Sequence, residues 1–528
     1  MSYGELKGFK DHFGFGGIAP DRLSNCVATQ DLEKNNRIVL TWKDPKDTEI
    51  DGSLVSSWVK TTIVRKYGSY PESITDGVKI VENKIRDQYA SDGYVDTDFV
   101  SGEDRYQYYY AAFPESDTGA ISVNEANRFD NRPPYVLYGV KIAKKNSDPA
   151  SRVTYLEDAI GMTPAKMNYG TGVFDYGSWG DAFFMPRPCM IKTGAKSPDY
   201  FLNPNDYTKK IDGSASDVAN TSYDGDCMVQ FPTIWFKYAT DADYDYIYIS
   251  DSQIDDTYHA YAHTDKNGAI MPYTYLPAYN GSVISNKLRS ISGQTPINTK
   301  TASDEISYAR AKGDDYYIEV LADRIMVNNL LLLIGRSTNT QAVFGNGYYT
   351  GGSQSSNPRI TTGSMNTKGL FWGSNGSTAL IGVKVFGIEN WWGNQWRRLA
   401  GYINANGTQK IKLTRGKQDG STVNDYNLDG SGYITIPGAT PAGTSGGYIS
   451  AQKMTDYGLL PVTASGSETT YECDGLWFNN SQVNYALVGG ACINGFFVGA
   501  FCVLLTYLAS VSYWRIGAAL SYKPTVTA

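Results

Sequence analysis

Apolar positions along this chain fall mostly in short runs with strand-like alternation, separated by Gly, Pro, Asn and Asp. The run Ile38-Val39-Leu40-Thr41-Trp42-Lys43-Asp44-Pro45 predicts a β-branched strand that ends at a proline, and Trp58 to Lys66 predicts a second. A late strand is expected over Tyr106-Gln107-Tyr108-Tyr109-Tyr110-Ala111-Ala112-Phe113, with tyrosines on alternate residues. Helical periodicity is clearest over Ala322 to Gly335, where dense apolar content and a closing glycine predict a core helix. Gly/Ser/Thr-rich runs at 350–367 and 437–449 read as long surface loops. Asn131-Arg132-Pro133-Pro134 reads as a stiff linker, because consecutive prolines hold an extended backbone without ladder donors.

At 528 residues the chain is too long for one hydrophobic core, which favours two to four domains. Its 41 Tyr, 54 Gly and 10 Trp agree with strands and loops rather than long helices. A net charge of -7 leaves no basic footprint, so no nucleic-acid partner is expected. Cys26, Cys189, Cys227, Cys473, Cys492 and Cys502 show neither C-x-x-C nor metal-ligand spacing, and most read as buried thiols. Met1 to Lys7 lacks the basic and then apolar pattern of a secretory signal.

Trp42 on an early strand, Pro45 three residues later and a Tyr-rich late strand resemble a fibronectin type III module over roughly residues 22–125. The resemblance implies that Trp42 fills the space between two sheets and that Tyr106 or Tyr108 anchors a loop through its hydroxyl. Residues 1–21 then form a connecting or docking segment, 22–130 the sandwich, and 135–522 a second domain.

Within that second domain, Phe386-Gly387-Ile388-Glu389-Asn390-Trp391-Trp392-Gly393-Asn394-Gln395-Trp396-Arg397-Arg398 resembles the Gly-Asn-x-Trp motif of C-type lectin folds of the formylglycine-generating-enzyme type. In that fold Trp391, Trp392, Gly393, Asn394 and Trp396 fix an irregular turn. No catalytic cysteine pair accompanies the motif, so the resemblance implies the fold and not the oxidase activity. The expected fold class is mainly β with a few helices (α+β), a β-sandwich followed by a C-type-lectin-like domain.

The C-terminus, with Gly489-Gly490 and the closing Trp514-Arg515-Ile516-Gly517-Ala518-Ala519-Leu520-Ser521-Tyr522, resembles the variable proteins of diversity-generating retroelements, phage tropism determinants among them. The resemblance implies a variable region at 486–516 whose ligand-facing codons are randomised at adenines, with Trp514 as framework. Randomising both adenines of an AAC or AAT codon never yields Lys, Glu, Gln, Met or Trp. From Val483 to Tyr522 there is no Lys, Glu, Gln or Met, and the only Trp is Trp514. The candidate contact residues are Ala491, Ile493, Phe496, Val498, Leu504, Thr506, Tyr507, Val511, Tyr513 and Arg515.

These features predict a receptor-binding protein of a phage tail tip or fibre, made in the host cytoplasm and carried on the virion. Its expected partners are a bacterial surface protein or glycan and other tail proteins, and its expected state is a homotrimer. A bacterial cell-surface display protein would use the same face. A C-terminal membrane anchor is the competing reading of the apolar stretch 486–509, which contains Gly495-Phe496-Phe497-Val498-Gly499; its glycines, Asn494 and missing basic flank argue against insertion. No Ser/His/Asp or Cys/His constellation or phosphate loop stands in a recognisable setting, so neither enzymatic activity nor a cofactor is expected. His259 and His263 have the spacing of a zinc pair but lack the accompanying Glu, and Asp241, Asp243 and Asp245 read as an exposed acidic strand. No metal is expected.

Overall fold

Alternation in the strand Arg37–Lys43 becomes burial of Ile38, Leu40 and Trp42, with the intervening side chains turned outward. The computed structural model describes residues 17–31, 37–50, 52–100, 107–129, 135–353, 359–376, 380–414, 418, 420 and 422–526, and it is mainly β with few helices. The chain divides into two compact units, Met1–Tyr135 and Val136–Ala528.

In the first unit, Ser24–Asp31, Arg37–Lys43 and Tyr94–Asp96 form one antiparallel sheet, and Val78–Asn83, Trp58–Tyr67, Tyr108–Ser116 and Arg128–Phe129 form another. One core cluster draws Ile38, Leu40 and Trp42 from the first sheet and Ile63, Tyr110 and Phe129 from the second, which makes the unit a sandwich. Trp42 is 1% exposed and meets the Phe129 ring edge-on at 6.0 Å. Tyr108 is buried, and its hydroxyl accepts the Val100 N–H at 2.9 Å. Tyr106, the segment 1–16 and the linker 131–134 lie outside the described residues.

The Trp42 indole N–H donates to the buried Asp44 at 3.1 Å, beside donors from Thr61, Asn83 and the Asp87 backbone. Burial pushes the Asp44 carboxyl above its ordinary range despite those donors. Trp42→Phe keeps most of the volume but removes one donor from a buried carboxylate. We expect it to destabilise this unit by about 1–3 kcal/mol, read by urea denaturation.

The second unit has two large sheets. A seven-stranded sheet runs Asp206–Lys210, Tyr200–Asn203, Arg187–Lys192, Gly225–Pro232, Tyr273–Pro277, Leu520–Tyr522, Tyr316–Ile318, so the C-terminal strand is inserted between two earlier ones. The other carries Trp396–Ala405, Val483–Val488, Val503–Leu505 and Gly475–Phe478 as neighbours, with Ile516–Gly517 pairing in parallel to Trp396–Ala405. Three α-helices are described: α1 (Ala302–Arg310), α2 (Leu321–Gly335) and α3 (Thr340–Phe344).

Helix α2 is buried at every position except Ile325. Gly335 does not supply its stop. Arg336 takes the left-handed conformation at φ 46, while Gly335 leaves room for the Phe344 ring, which would sit 3.1 Å from an added Cβ. The 437–449 stretch, expected as loop, holds Ala442–Gly443 and the start of the strand Gly447–Thr455. The apolar stretch 486–509 is not a spanning helix. It contains parts of two strands and a 3-10 turn at Gly495–Phe497, and no helix among the described residues is long and apolar enough to cross a membrane.

Candidate ligand-binding face

Two glycine turns bonded to one another place the C-terminal segment. Gly393 and Asn394 both have positive φ, and a Cβ on Gly393 would fall 2.7 Å from the Tyr348 carbonyl oxygen. The Gly393 N–H donates to the Gly489 carbonyl at 3.0 Å, and Asn394 Oδ1 accepts the Ile360 N–H at 2.9 Å. Gly490 also has positive φ, and its missing Cβ is the space that Val498 fills, 2.6 Å from where the atom would sit. The chain therefore leaves the strand Val483–Val488 sharply and returns over its own sheet.

Trp391, Trp392 and Trp396 are all buried beneath this turn. Two guanidiniums lie against the Trp391 ring, Arg324 at 4.3 Å and Arg397 at 4.4 Å from its centroid, and both pair with Glu319. Its N–H donates to Asn328, and the Trp392 N–H donates to the Gly345 carbonyl. Trp396 stands edge-on to Trp477 at 5.7 Å. Trp514 is half-buried against Tyr348, Ile360 and Cys492.

Of the ten candidate contact residues, Ile493, Phe496 and Tyr513 are 41, 43 and 45% exposed, and Thr506, Tyr507, Val511 and Arg515 are half-buried. Ala491, Val498 and Leu504 are not surface contacts. Ala491 packs with Trp396 and Leu487, Val498 fills the space left by Gly490, and Leu504 is paired in register between Leu487 and Trp477. Apolar composition alone could not separate these three from the exposed positions. The exposed and half-buried residues fall into two groups over one small core containing Trp396, Leu487, Leu504 and Ile516, against which Trp477, Tyr507 and Val511 pack.

In the first group Tyr507 and Tyr513 meet at 5.4 Å, Arg515 lies 5.4 Å from the Tyr513 ring centroid, and its guanidinium donates to the Tyr507 hydroxyl at 3.0 Å. In the second, Phe496 leans on Tyr349 at 4.7 Å, and Phe497 stacks on Tyr448 at 4.1 Å and packs on Trp477 at 5.1 Å. Tyr349, Tyr448, Trp477 and Phe497 are site residues that the sequence reading missed. For Phe497 the signal was its adjacency to Phe496; for Tyr349 and Tyr448 there was none, because they come from distant segments.

The backbone of these segments is held by residues outside them. Gln341 donates to the carbonyls of Phe496 and Val498, Arg324 and Asn328 donate to that of Ala500, and Asp474 accepts the Phe501 N–H at 2.7 Å. Further on, Gln482 donates to the Thr506 carbonyl, Arg398 to Val511 and Arg359 to Trp514. Backbone N–H groups of Tyr485, Ala302, Thr299 and Trp396 take the carbonyls of Tyr507, Ala509, Tyr513 and Arg515. A capping box between Thr301 and Asp304 fixes the start of α1, and with it the shelf at 299–302 on which residues 509–513 rest.

Arg398 is tied to that shelf and to Glu305 on α1, whose carboxylate it meets at 2.6 Å. Burial pushes the Glu305 carboxyl up to about 7, and Arg398 offsets this in part. A folded-state value above the ordinary 4.5 means that the Glu305 contribution to stability is full below 4.5 and is lost as pH rises through about 7. We expect Glu305→Gln to flatten the decline of melting temperature between pH 5 and 8 relative to the native chain. Parallel curves would remove Glu305 as the titrating group.

The remaining polar candidates have structural uses. His263 is buried beside Lys523, and burial first, then that neighbour, lowers its pKa to about 3. Asp241 accepts the N–H groups of Asp243 and Tyr244, while Asp243 and Asp245 pair with Lys145 and Lys144. Among the described residues no group of three or more His, Cys, Asp or Glu could hold a metal ion, and the six cysteines are free thiols. No protein-family model matches the chain, and no curated protein matches it.

Proposed function

We propose that the chain is a receptor-binding protein of a bacteriophage tail, with a changeable ligand-binding face at 491–515 built on a C-type-lectin-like scaffold. The observation that carries this reading is the division of labour in the face. Its backbone is gripped by side chains and amides from α1, α2, α3 and neighbouring strands, while Ile493, Phe496 and Tyr513 project outward and take no part in that grip. Side chains free of structural duty can be exchanged with little cost to the fold. The clustered aromatic rings with Arg515 have the composition of interface anchors, which give large contact area at small entropic cost. The resemblance of Gly489-Gly490 and Trp514 to Tyr522 to retroelement-diversified proteins points the same way.

A face of this size binds modestly, since desolvation and ordering consume much of the contact energy. A homotrimer on the tail would raise avidity by roughly 10² to 10⁴ without new contacts. Deep sequencing of the gene in a passaged phage population tests the reading. Substitutions should concentrate at codons 493, 496, 506, 507, 511, 513 and 515, at adenines of a template repeat lying beside a reverse-transcriptase gene, and should spare 491, 498 and 504. Substitutions spread evenly over the gene, or no template repeat, would overturn it.

A further inference from the structure

The sheet formed by Val153–Glu157, Leu137–Ala143, Tyr244–Ser250 and Trp235–Thr240 buries Val140, Ile142, Ile247, Ile249 and Phe236 on one face. Alternation turns Tyr244, Tyr246 and Tyr248 to the other face, where they are half-buried. Register sets Tyr248 between Gly139 and Lys237, and Tyr246 between Lys141 and Ala239. The rings are held in place. Tyr248 leans into the space that a side chain at 139 would occupy, its Cδ1 3.2 Å from the position of the missing Cβ. The Tyr246 hydroxyl donates to Asp241 at 2.7 Å, and its ring is parallel to that of Tyr248 within 3°, the centroids 6.4 Å apart. The Lys141 ammonium lies 4.8 Å from the Tyr244 centroid and makes no ion pair among the described residues.

A fixed pair of parallel rings on one strand, with phenol hydroxyls and an ammonium over the neighbouring Tyr244 ring, joins an apolar surface to hydrogen-bonding groups. A pyranose chain offers the complement: a face of C–H groups that packs on an aromatic ring, repeated along its length, and a rim of hydroxyls that takes the polar edges.

We propose that this outer sheet face is a saccharide-binding platform on which Tyr246 and Tyr248 stack against pyranose rings of a glycan chain, with Lys141 reaching its hydroxyl or acidic groups. The platform is separate from the C-terminal face and does not depend on how that face is used. Affinity electrophoresis of the full chain through gels containing a soluble β-glucan, a mannan or alginate tests it. At least one gel should retard the native chain. Tyr246→Ala/Tyr248→Ala should weaken retention about tenfold, and Tyr246→Phe/Tyr248→Phe should keep it, because the rings and not the hydroxyls make the stack. Retention by alginate alone, lost in Lys141→Gln, would assign an acidic glycan; retention by the neutral polymers would assign a neutral one. Gly139→Ser substitutes no tyrosine but crowds the Leu156 Cβ and the Tyr248 ring, 3.0 and 3.2 Å from the added Cβ; it must also weaken retention, which covers the case of an alanine pair that does not fold. The proposal falls if no gel retards the native chain, if the alanine pair or Gly139→Ser is retained like it, or if the phenylalanine pair fails like the alanine pair. It also falls if Phe496→Ala/Tyr513→Ala abolishes retention, since the sugar would then sit on the C-terminal face.

Discussion

Phe496→Ala/Tyr513→Ala is expected, on the proposed receptor-binding function, to abolish adsorption to the host cell while leaving folding and assembly as they are. Both side chains are more than two-fifths exposed, and they anchor the two separate aromatic groups of the face. Phe496 gives up one ring contact with Tyr349, and Tyr513 gives up its contacts with Tyr507 and Arg515. Neither side chain takes part in the hydrogen bonds that hold the loops, because the carbonyls of residues 496 and 513 are bonded whatever the side chain. The stability change should therefore stay near the surface norm of about 0.5 kcal/mol per site. Aromatic anchors cost about 2 kcal/mol or more each in binding, roughly thirtyfold, and on the proposed multivalent tail the loss would multiply. Cell binding and melting temperature of the double variant separate the outcomes. Retained binding places recognition elsewhere, and a collapsed melting temperature makes these residues core. Leu504→Ala supplies the contrast: buried between Leu487 and Trp477, it should cost about 2–5 kcal/mol of stability.

The regular parts of the chain were readable because alternation and burial share one cause. The apolar, β-branched run Ile38 to Trp42 marked a strand, and along it Ile38, Leu40 and Trp42 are buried while Val39 and Thr41 are half-exposed. Helix α2, apolar apart from Asp323, Arg324, Asn328 and Asn329, needed no amphipathic signal, since it is buried at every position but Ile325. The face was harder to read, for two reasons. Residues 483–505 are nearly all apolar whether they point in or out, so Ala491, Val498 and Leu504 looked like Ile493 and Phe496; the turn at Gly490 covers Val498, and the core around Trp396 and Leu487 covers Ala491 and Leu504. The residues that hold the face, Arg324, Asn328, Gln341, Arg359 and Arg398, lie far away in sequence and act on carbonyl oxygens, whose use leaves no mark on composition. The Trp cluster was legible as a turn, but the reason its rings stay fixed was not: two arginines and Glu319 converge on Trp391 from separate strands and helices.

That convergence sets the second large effect. Trp391→Ala should destabilise the second unit by about 3–5 kcal/mol, the range for a buried aromatic replaced by alanine, and should loosen the candidate face as well. The indole covers the faces of Arg324 and Arg397, whose charges are buried; burial lowers the Arg324 pKa to about 10 even with Glu319 beside it. Removing the ring leaves both guanidiniums next to a cavity and Asn328 without its indole partner. Arg324 and Asn328 are the two donors to the Ala500 carbonyl, so the disturbance passes directly to the loop carrying Phe496. Trp391→Phe keeps an aromatic face for the arginines and loses the bond to Asn328, and should fall between native and alanine. Urea unfolding of the full chain should show the transition of the second unit moved and that of the first unit unmoved. Amide exchange should quicken over residues 495–502 in the alanine variant under conditions where the unit is still folded. Unchanged protection there would mean that the ring supports only the core, and that the grip on the loop is set by Gln341 and Asp474 without it.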